Sequence, residues 1–349
     1  MMKTKNLVLL GIALAVLLGI NLMQKSGHKK ATSQSSVAEI IADGFVPADL
    51  SRITIGYGAE TEVVVLSNNP TGWTVDSAWF ATANMARIET LVRNISGLTG
   101  EYRSDSAEVL ADYGLGADGA VRVRAYNPAG ELVIALDVGH KPERYPGNFV
   151  RQPESDKVYV SQKNLLAEVG MYDGPEMPKS RYFLELQALQ EDRLEVDRMA
   201  ITTDGERLEF VKDFAVEAAT EGEAEGVPVL DRNTWEWSLE GVAEGGAEAG
   251  LAKIKVDAVL NSLVAVRATD LVDPKADLAG YGLAEPSRRA ALQMQDGREI
   301  VMTFGHDREA VADAPAGTYM QLGGDDTVWV VTEYAIKNIF KGLDELKPE

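Results

Sequence analysis

The sequence predicts an α+β protein: two tandem copies of one antiparallel-sheet-plus-helix module, preceded by one N-terminal transmembrane helix. Three observations predict it: an apolar run near the N-terminus, an amphipathic helix pattern that recurs 168 residues later, and strand patterns around both copies of that helix. The predicted organisation is a membrane anchor with basic flanks at 1–30, a polar tether at 31–45, a first module at 46–170, a linker at 171–192, and a second module at 193–349 with acidic Ala/Gly-rich insertions near 215–250.

The apolar run at residues 6–23 is uncharged and lies between two groups of lysines, Lys3 and Lys5 before it and Lys25, Lys29 and Lys30 after it. It lies at the short end of what crosses a bilayer core of about 30 Å. It is longer than the apolar part of most cleaved signals, and no small-x-small site follows it. We therefore expect an uncleaved signal anchor, with a cleaved signal peptide and a buried core helix as alternatives.

Lysines flank both ends of this anchor, so the distribution of positive charge does not determine its orientation. A short N-terminal tail followed by a large C-terminal part favours translocation of that part across the membrane. The expectation is a single-pass protein of the bacterial inner membrane with its domains in the periplasm.

The helix pattern consists of apolar residues at the i, i+3, i+4, i+7 spacing of a helix that packs on a core. Five residues of the first copy each have an equivalent 168 positions later: Ile88, Leu91, Val92, Ile95 and Leu98, then Val256, Val259, Leu260, Leu263 and Val266. A Tyr-Gly-Leu triplet follows each helix, at 113–115 and 281–283. Both glycines, Gly114 and Gly282, are expected to adopt a backbone conformation that a side chain would hinder.

Strand patterns surround each helix in the same order. In the first copy they cover 52–57, 61–67, the Trp73 strand, 120–126 and 132–139; in the second they include Trp237, 290–295 and 298–305, with the hairpin signal Asp296-Gly297. Each copy is expected to close with a further helix, at 163–169 and 333–343. A linking helix is expected around Leu184, Leu186 and Leu189, and mobile loops at 215–225 and 240–250.

Composition excludes several classes of function. The chain has 349 residues, enough for two cores, with 54 acidic and 34 basic side chains. Residues 1–30 hold five lysines and no acidic residue, so the remainder carries a balance of −25. Such a surface repels phosphate backbones, which argues against nucleic-acid binding. The absence of cysteine excludes disulfides, thiolate catalysis and cysteine-ligated zinc.

The sequence contains no motif for catalysis, cofactor binding or metal binding, so no catalytic, cofactor or metal residue is predicted. Its three histidines are His28 beside the apolar run and the equivalent pair His140 and His306. That pair is expected to make local hydrogen bonds at strand ends; a metal or acid–base pair is the alternative. The segment 323–326, Gly-Gly-Asp-Asp, is expected to be a turn rather than a calcium loop. Trp73, Trp237 and Trp329 are expected in the core.

Taken together, the anchor, the Trp-Thr-Val strand ending at Val75, the amphipathic helix, the Tyr-Gly-Leu triplet and the strand end at 138–140 resemble the bacterial family called domain of unknown function 4340. That resemblance implies an anchored protein with two such units and an association with gliding-motility-type ABC transporter components. It supplies no catalytic residues. Asn84 and Ala252 stand where the family tends to have an aspartate at the helix start, and the acidic insertions are unusual.

Three functional hypotheses follow. The first is a non-enzymatic, membrane-anchored accessory or scaffold protein that binds a membrane protein complex, such as ABC transporter components. The second is a module that binds an envelope polysaccharide or cell-wall ligand, which exposed aromatic residues along a sheet face would favour. The third is a cryptic hydrolase that uses His140 or His306. The oligomeric state is not predictable from the sequence.

Overall fold

The computed structural model describes residues 37–216, 230–240, 250–312 and 314–348. The expected anchor at 6–23, the first part of the tether and most of both acidic insertions lie outside these described residues.

The first sheet has ten strands and the order β1-β6-β10-β9-β8-β7-β2-β3-β4-β5, with antiparallel pairing between neighbouring strands. Its strands are β1 Val37–Glu39, β2 Arg52–Tyr57, β3 Glu60–Asn69, β4 Gly72–Val75, β5 Ala81–Thr82, β6 Thr99–Ser104, β7 Val121–Tyr126, β8 Leu132–Val138, β9 Phe149–Arg151 and β10 Val158–Ser161.

The second sheet has eight antiparallel strands in the order β13-β12-β11-β15-β16-β17-β18-β14. Its strands are β11 Val196–Thr203, β12 Glu206–Val216, β13 Leu230–Leu239, β14 Ala268–Val272, β15 Arg288–Met294, β16 Glu299–Arg308, β17 Gly317–Leu322 and β18 Val328–Val331. These eight strands follow the same spatial order as β2–β4 and β6–β10 of the first sheet. Similar apolar patterns therefore produce the same pairing order in both halves of the chain.

Three α-helices are described: α1 Met85–Ile95, α2 Lys253–Val264 and α3 Glu333–Ile339. The apolar stripes predicted for the first two are buried on one face, as the helical spacing requires. Ala252 precedes α2 without a side-chain capping bond. Asn84, which precedes α1, instead donates its backbone N–H to the carbonyl of Phe183, at 2.7 Å.

The predicted fold class is wrong, because the described chain is mostly antiparallel β-sheet with three short helices. The helix expected at 163–169 is reduced to a single 3-10 turn at Ala167–Val169. The expected linking helix is extended chain: Leu184 forms a bridge with Ala83, and Gln187 forms one with Arg267. The bridges of Leu184 and Gln187 are isolated ones outside the named strands, and both segments contain less helix than predicted.

The predicted transmembrane helix and inner-membrane location are also corrected. No helix among the described residues is long and apolar enough to cross a membrane; the longest, α2, has 12 residues. The apolar run at 6–23, from which both expectations came, lies outside the part of the chain that the structure describes.

Two compact units account for the described chain. The first contains residues 37–68 and 86–178, and the second contains 69–85 and 179–348. The second unit thus includes the segment that connects β3 to α1, which forms its own hydrogen bonds with residues 180–185.

Candidate binding site

The two equivalent histidines occupy the same local structure in their respective units. The backbone N–H of His140 donates to the carbonyl of Tyr113 at 2.9 Å, and that of His306 donates to the carbonyl of Tyr281 at 2.8 Å. Each imidazole lies against a glycine, where a Cβ would stand 2.5 Å from the ring. The local hydrogen bond at each histidine is made by the backbone N–H, and His306 lies within β16 rather than at the predicted strand end. Gly114 and Gly282 have a left-handed backbone, as predicted.

His140 lies in an open groove of the first unit. The imidazole lines an open groove of about 480 Å³, where the guanidinium of Arg103 stacks 4.8 Å from the ring centre of Tyr145. The lining contains no serine, threonine or cysteine that the histidine could activate. Among the described residues, no group of three or more His, Cys, Asp or Glu side chains could hold a metal ion.

Replacing both histidines by alanine tests the hydrolase hypothesis directly. Both rings are exposed, so we expect each substitution to lower the free energy of unfolding by less than about 1 kcal/mol. The in-cell phenotype of the wild type should persist. Loss of the phenotype in a variant that retains its unfolding free energy would favour the hydrolase hypothesis.

Two other sequence predictions are confirmed. Residues 323–326 form a turn between β17 and β18, in which the carboxylate of Asp325 accepts the N–H of Thr327 at 2.8 Å. The Asp325 carboxylate thus forms a hydrogen bond within the turn itself. Trp73, Trp237 and Trp329 are buried, as their strand positions predicted.

An exposed aromatic pair, Trp79–Phe80, was missed by the sequence reading. Trp79 is 46% exposed and Phe80 is 68% exposed. Both have a left-handed backbone, with φ of 56° and 60°. That conformation costs L-residues roughly 1–2 kcal/mol each, and for bulky side chains it is an outlier. The pair therefore combines an unfavourable backbone with unburied apolar surface.

The structure around this pair holds it in place from both sides. Before it, the hydroxyl of Thr74 donates to Asp76 at 2.9 Å, and the hydroxyls of Ser77 and Ser180 share a hydrogen bond of 2.8 Å. After it, the N–H of Ala83 donates to the carbonyl of Trp73 at 2.9 Å. Because these bonds determine the path of the chain, the two strained residues persist.

The second half of the sequence has no counterpart of Trp79–Phe80. Between Trp237 and the start of α2, residues 238–252 contain no aromatic residue. Since β13 and α2 form without such a pair, the shared strand order does not require it. This difference between the two halves of the sequence could have identified Trp79–Phe80 as a candidate functional pair.

A family model described as "Domain of unknown function (DUF4340)" matches residues 73–286, more than half of the chain. The chain belongs to the DUF4340 family. The match begins at Trp73 and includes the aromatic pair, and it confirms the resemblance drawn from the sequence. No curated protein and no solved structure matches this DUF4340 chain.

Proposed function

We propose that this DUF4340 protein is a non-enzymatic accessory or scaffold protein that binds a partner protein through Trp79–Phe80. The observation that carries the proposal is the exposure of two adjacent aromatic side chains on a strained backbone. The few residues that carry most of the binding energy at protein interfaces are enriched in tryptophan, and phenylalanine is also enriched at interfaces. Met85, at the start of α1, adds a third exposed apolar side chain to the same segment.

The energetic argument favours binding over folding as the reason for the pair. The two left-handed residues together cost roughly 2–4 kcal/mol of stability. About half of the Trp79 side chain and about two thirds of the Phe80 side chain remain in water, so much of their burial energy is unused within the chain. A partner that covers both rings would recover the burial energy, and the rigid backbone would limit the entropy lost on binding.

Comparison of Phe80→Gly with Phe80→Ala distinguishes the backbone strain at this position from its contribution to partner binding. We expect Phe80→Gly to unfold with a free energy about 0.5–1 kcal/mol above that of Phe80→Ala, because the relief of left-handed strain exceeds the extra unfolded-state entropy of glycine. Both variants should lose partner binding equally. Chemical denaturation measures the first difference, and a lower stability for the glycine variant would contradict the strain argument.

Partner capture tests the proposal itself. The family resemblance makes ABC-transporter-type components the first partners to examine. The double variant Trp79→Ala/Phe80→Ala should recover at least tenfold less partner under gentle crosslinking, whereas Tyr334→Ala, which removes another exposed aromatic ring of the same unit, should recover the wild-type amount. A wild-type chain that purifies alone, or a double variant that captures the same partner, would overturn the proposal.

A second candidate, binding of a polysaccharide, is favoured by one observation. Tyr102 on β6 is 41% exposed and lies opposite Tyr159 on β10, with ring centres 6.2 Å apart. Exposed aromatic rings on a sheet can stack against sugars. A titration with soluble cell-wall glycans should shift the Tyr102 ring resonances if this candidate is correct, and Tyr102→Ala should remove the binding. Unchanged resonances would eliminate it.

A further inference from the structure

Three cations surround one buried indole in the second unit. The ammonium groups of Lys253 and Lys212 lie 4.2 Å and 4.3 Å from the ring centre of Trp235, and the guanidinium of Arg193 lies 4.9 Å from it. A tryptophan ring attracts cations, but three positive charges this close to one ring also repel one another. The cluster is therefore unusual for a protein whose net charge is −20.

The innermost cation is Lys212, whose side chain is almost fully enclosed, with the residue 4% exposed. Its Nζ donates to the backbone carbonyl of Arg193 at 2.5 Å. Burial, and then the neighbouring Arg193 and Arg232, lower the pKa of Lys212 to about 8, against a partial opposing effect of Asp257 and Asp197. Buried lysines are normally paired with a carboxylate, and this one has none within ion-pair distance among the described residues.

The nearby carboxylates are engaged elsewhere. Asp197 pairs with Arg232 at 2.5 Å, and Asp257 accepts the indole N–H of Trp237 at 2.8 Å. In the part of the chain that the structure describes, Arg193, Lys212 and Lys253 have no ion pair; Lys253 donates to the carbonyl of Trp235, and Arg193 donates to Asn261. Of Arg193, Lys212, Lys253 and Arg232, only Arg232 therefore has a carboxylate partner within 37–216, 230–240, 250–312 and 314–348.

An unsatisfied donor lies within the same cluster. The indole N–H of Trp235 is buried, at 3% residue exposure, and finds no hydrogen-bond acceptor among the residues that the structure describes. A buried donor without an acceptor costs about 1–3 kcal/mol in general, so its presence beside unpaired cations is a second, independent sign of a missing acceptor group.

We propose that Arg193, Lys212, Lys253 and Trp235 form a binding site for an oxyanion, either a phosphate or a carboxylate. The half-buried Arg193 and Lys253 would contact the anion from the solvent side, and Lys212 would stabilise it from within. The bound oxygens would supply the counter-charge and the acceptor that the described residues around this cluster do not provide. This site is separate from the Trp79–Phe80 pair and does not depend on the proposed partner.

Inorganic phosphate is the first probe. Full-length protein at pH 7 is titrated with sodium phosphate at constant ionic strength, with sodium chloride as the balancing salt, and tryptophan emission and Tm are recorded. At about ten times the Kd, phosphate should raise Tm by roughly 3–5 °C. In a second experiment, a hexaglutamate peptide replaces phosphate at the same molar concentration. A larger Tm shift with the peptide assigns the site to carboxylates, and a larger Tm shift with phosphate assigns it to phosphates.

Two variants and one control complete the test. Arg193→Gln and Lys253→Gln keep the half-buried side chains polar, and each should weaken anion binding about tenfold. Arg207→Gln removes an exposed arginine of the same unit that pairs with Glu209, and it should bind as the wild type does. The proposal is overturned if neither anion shifts Tm beyond the chloride reference, or if the two variants retain wild-type affinity.

Discussion

Replacing Gly305 by alanine is expected to destabilise the second unit by more than about 3 kcal/mol, because the new methyl group has no space. Its Cβ would stand 2.0 Å from the carbonyl oxygen of Tyr281 and 3.1 Å from the carbonyl carbon of Gly282. These are backbone atoms, which cannot rotate away as a side chain could. Relief would require moving β16 away from the Tyr281 segment, which breaks the bond from the N–H of His306.

The first unit contains a matched substitution. At Gly139, a Cβ would stand 2.1 Å from the carbonyl oxygen of Tyr113, so Gly139→Ala should cost a similar amount. The control is Gly250→Ala, where nothing lies within 4 Å and the φ angle is ordinary; it should change stability by less than about 1 kcal/mol. Calorimetry of the three variants measures these effects, and a near-neutral Gly305→Ala would show that the close approach is not part of the fold.

Lys212 is expected to contribute a rise of up to about 3 kcal/mol in the free energy of unfolding between pH 8 and pH 10.5. The pKa of this buried lysine is lowered to about 8 from 10.5, chiefly by burial. Between these values the unfolded chain binds more protons than the folded chain, so stability increases with pH. Below pH 8 both forms are protonated, and the cost of burying the charge is fully present.

Lys212→Met isolates this contribution. The variant should unfold at pH 7 with a free energy equal to or above that of the wild type. Between pH 8 and pH 10.5, its free energy of unfolding should increase by less than that of the wild type, and the difference is the contribution of Lys212. Lys337→Met, at an exposed position on α3, should retain the wild-type pH profile. Denaturant titrations at half-unit pH steps provide the data. An alkaline rise of unchanged size in Lys212→Met would contradict the assignment.

Local sequence patterns correctly predicted the elements whose conformation depends on residues that are close in the sequence. The apolar stripe from Ile88 to Ile95 specified α1, and Asp296-Gly297 specified the turn between β15 and β16. The glycines at 114 and 282 were correctly read from their position after a helix. In each case, neighbours within a few residues determine the conformation.

The features that were missed depend on residues far apart in the chain. β14 pairs with β18 at Ala268 and Val331, and β1 pairs with β6 at Val37 and Glu101. Periodicity identifies a strand but not its partner, so the size of the sheets and the predominance of β-structure could not be predicted. The cations around Trp235 come together for the same reason, from separate elements.

The exposure of Trp79 and Phe80 illustrates a different limit. A Trp-Phe dipeptide between a strand and a helix is typical of buried core, and only the three-dimensional path places both rings in water. The sequence nevertheless contained a usable signal, since the second half of the chain forms its strand and helix without aromatic residues at this point.

Site-directed photo-crosslinking tests the central claim, that this chain binds a partner protein through its exposed aromatic pair. A benzophenone amino acid is placed at position 80 in cells and, as a control, at the exposed position 334. Light should produce one discrete protein adduct from position 80 that disappears when Trp79 is also replaced by alanine, and no such adduct from position 334. Equal adducts from both positions, or none from position 80 in a folded chain, would contradict the account.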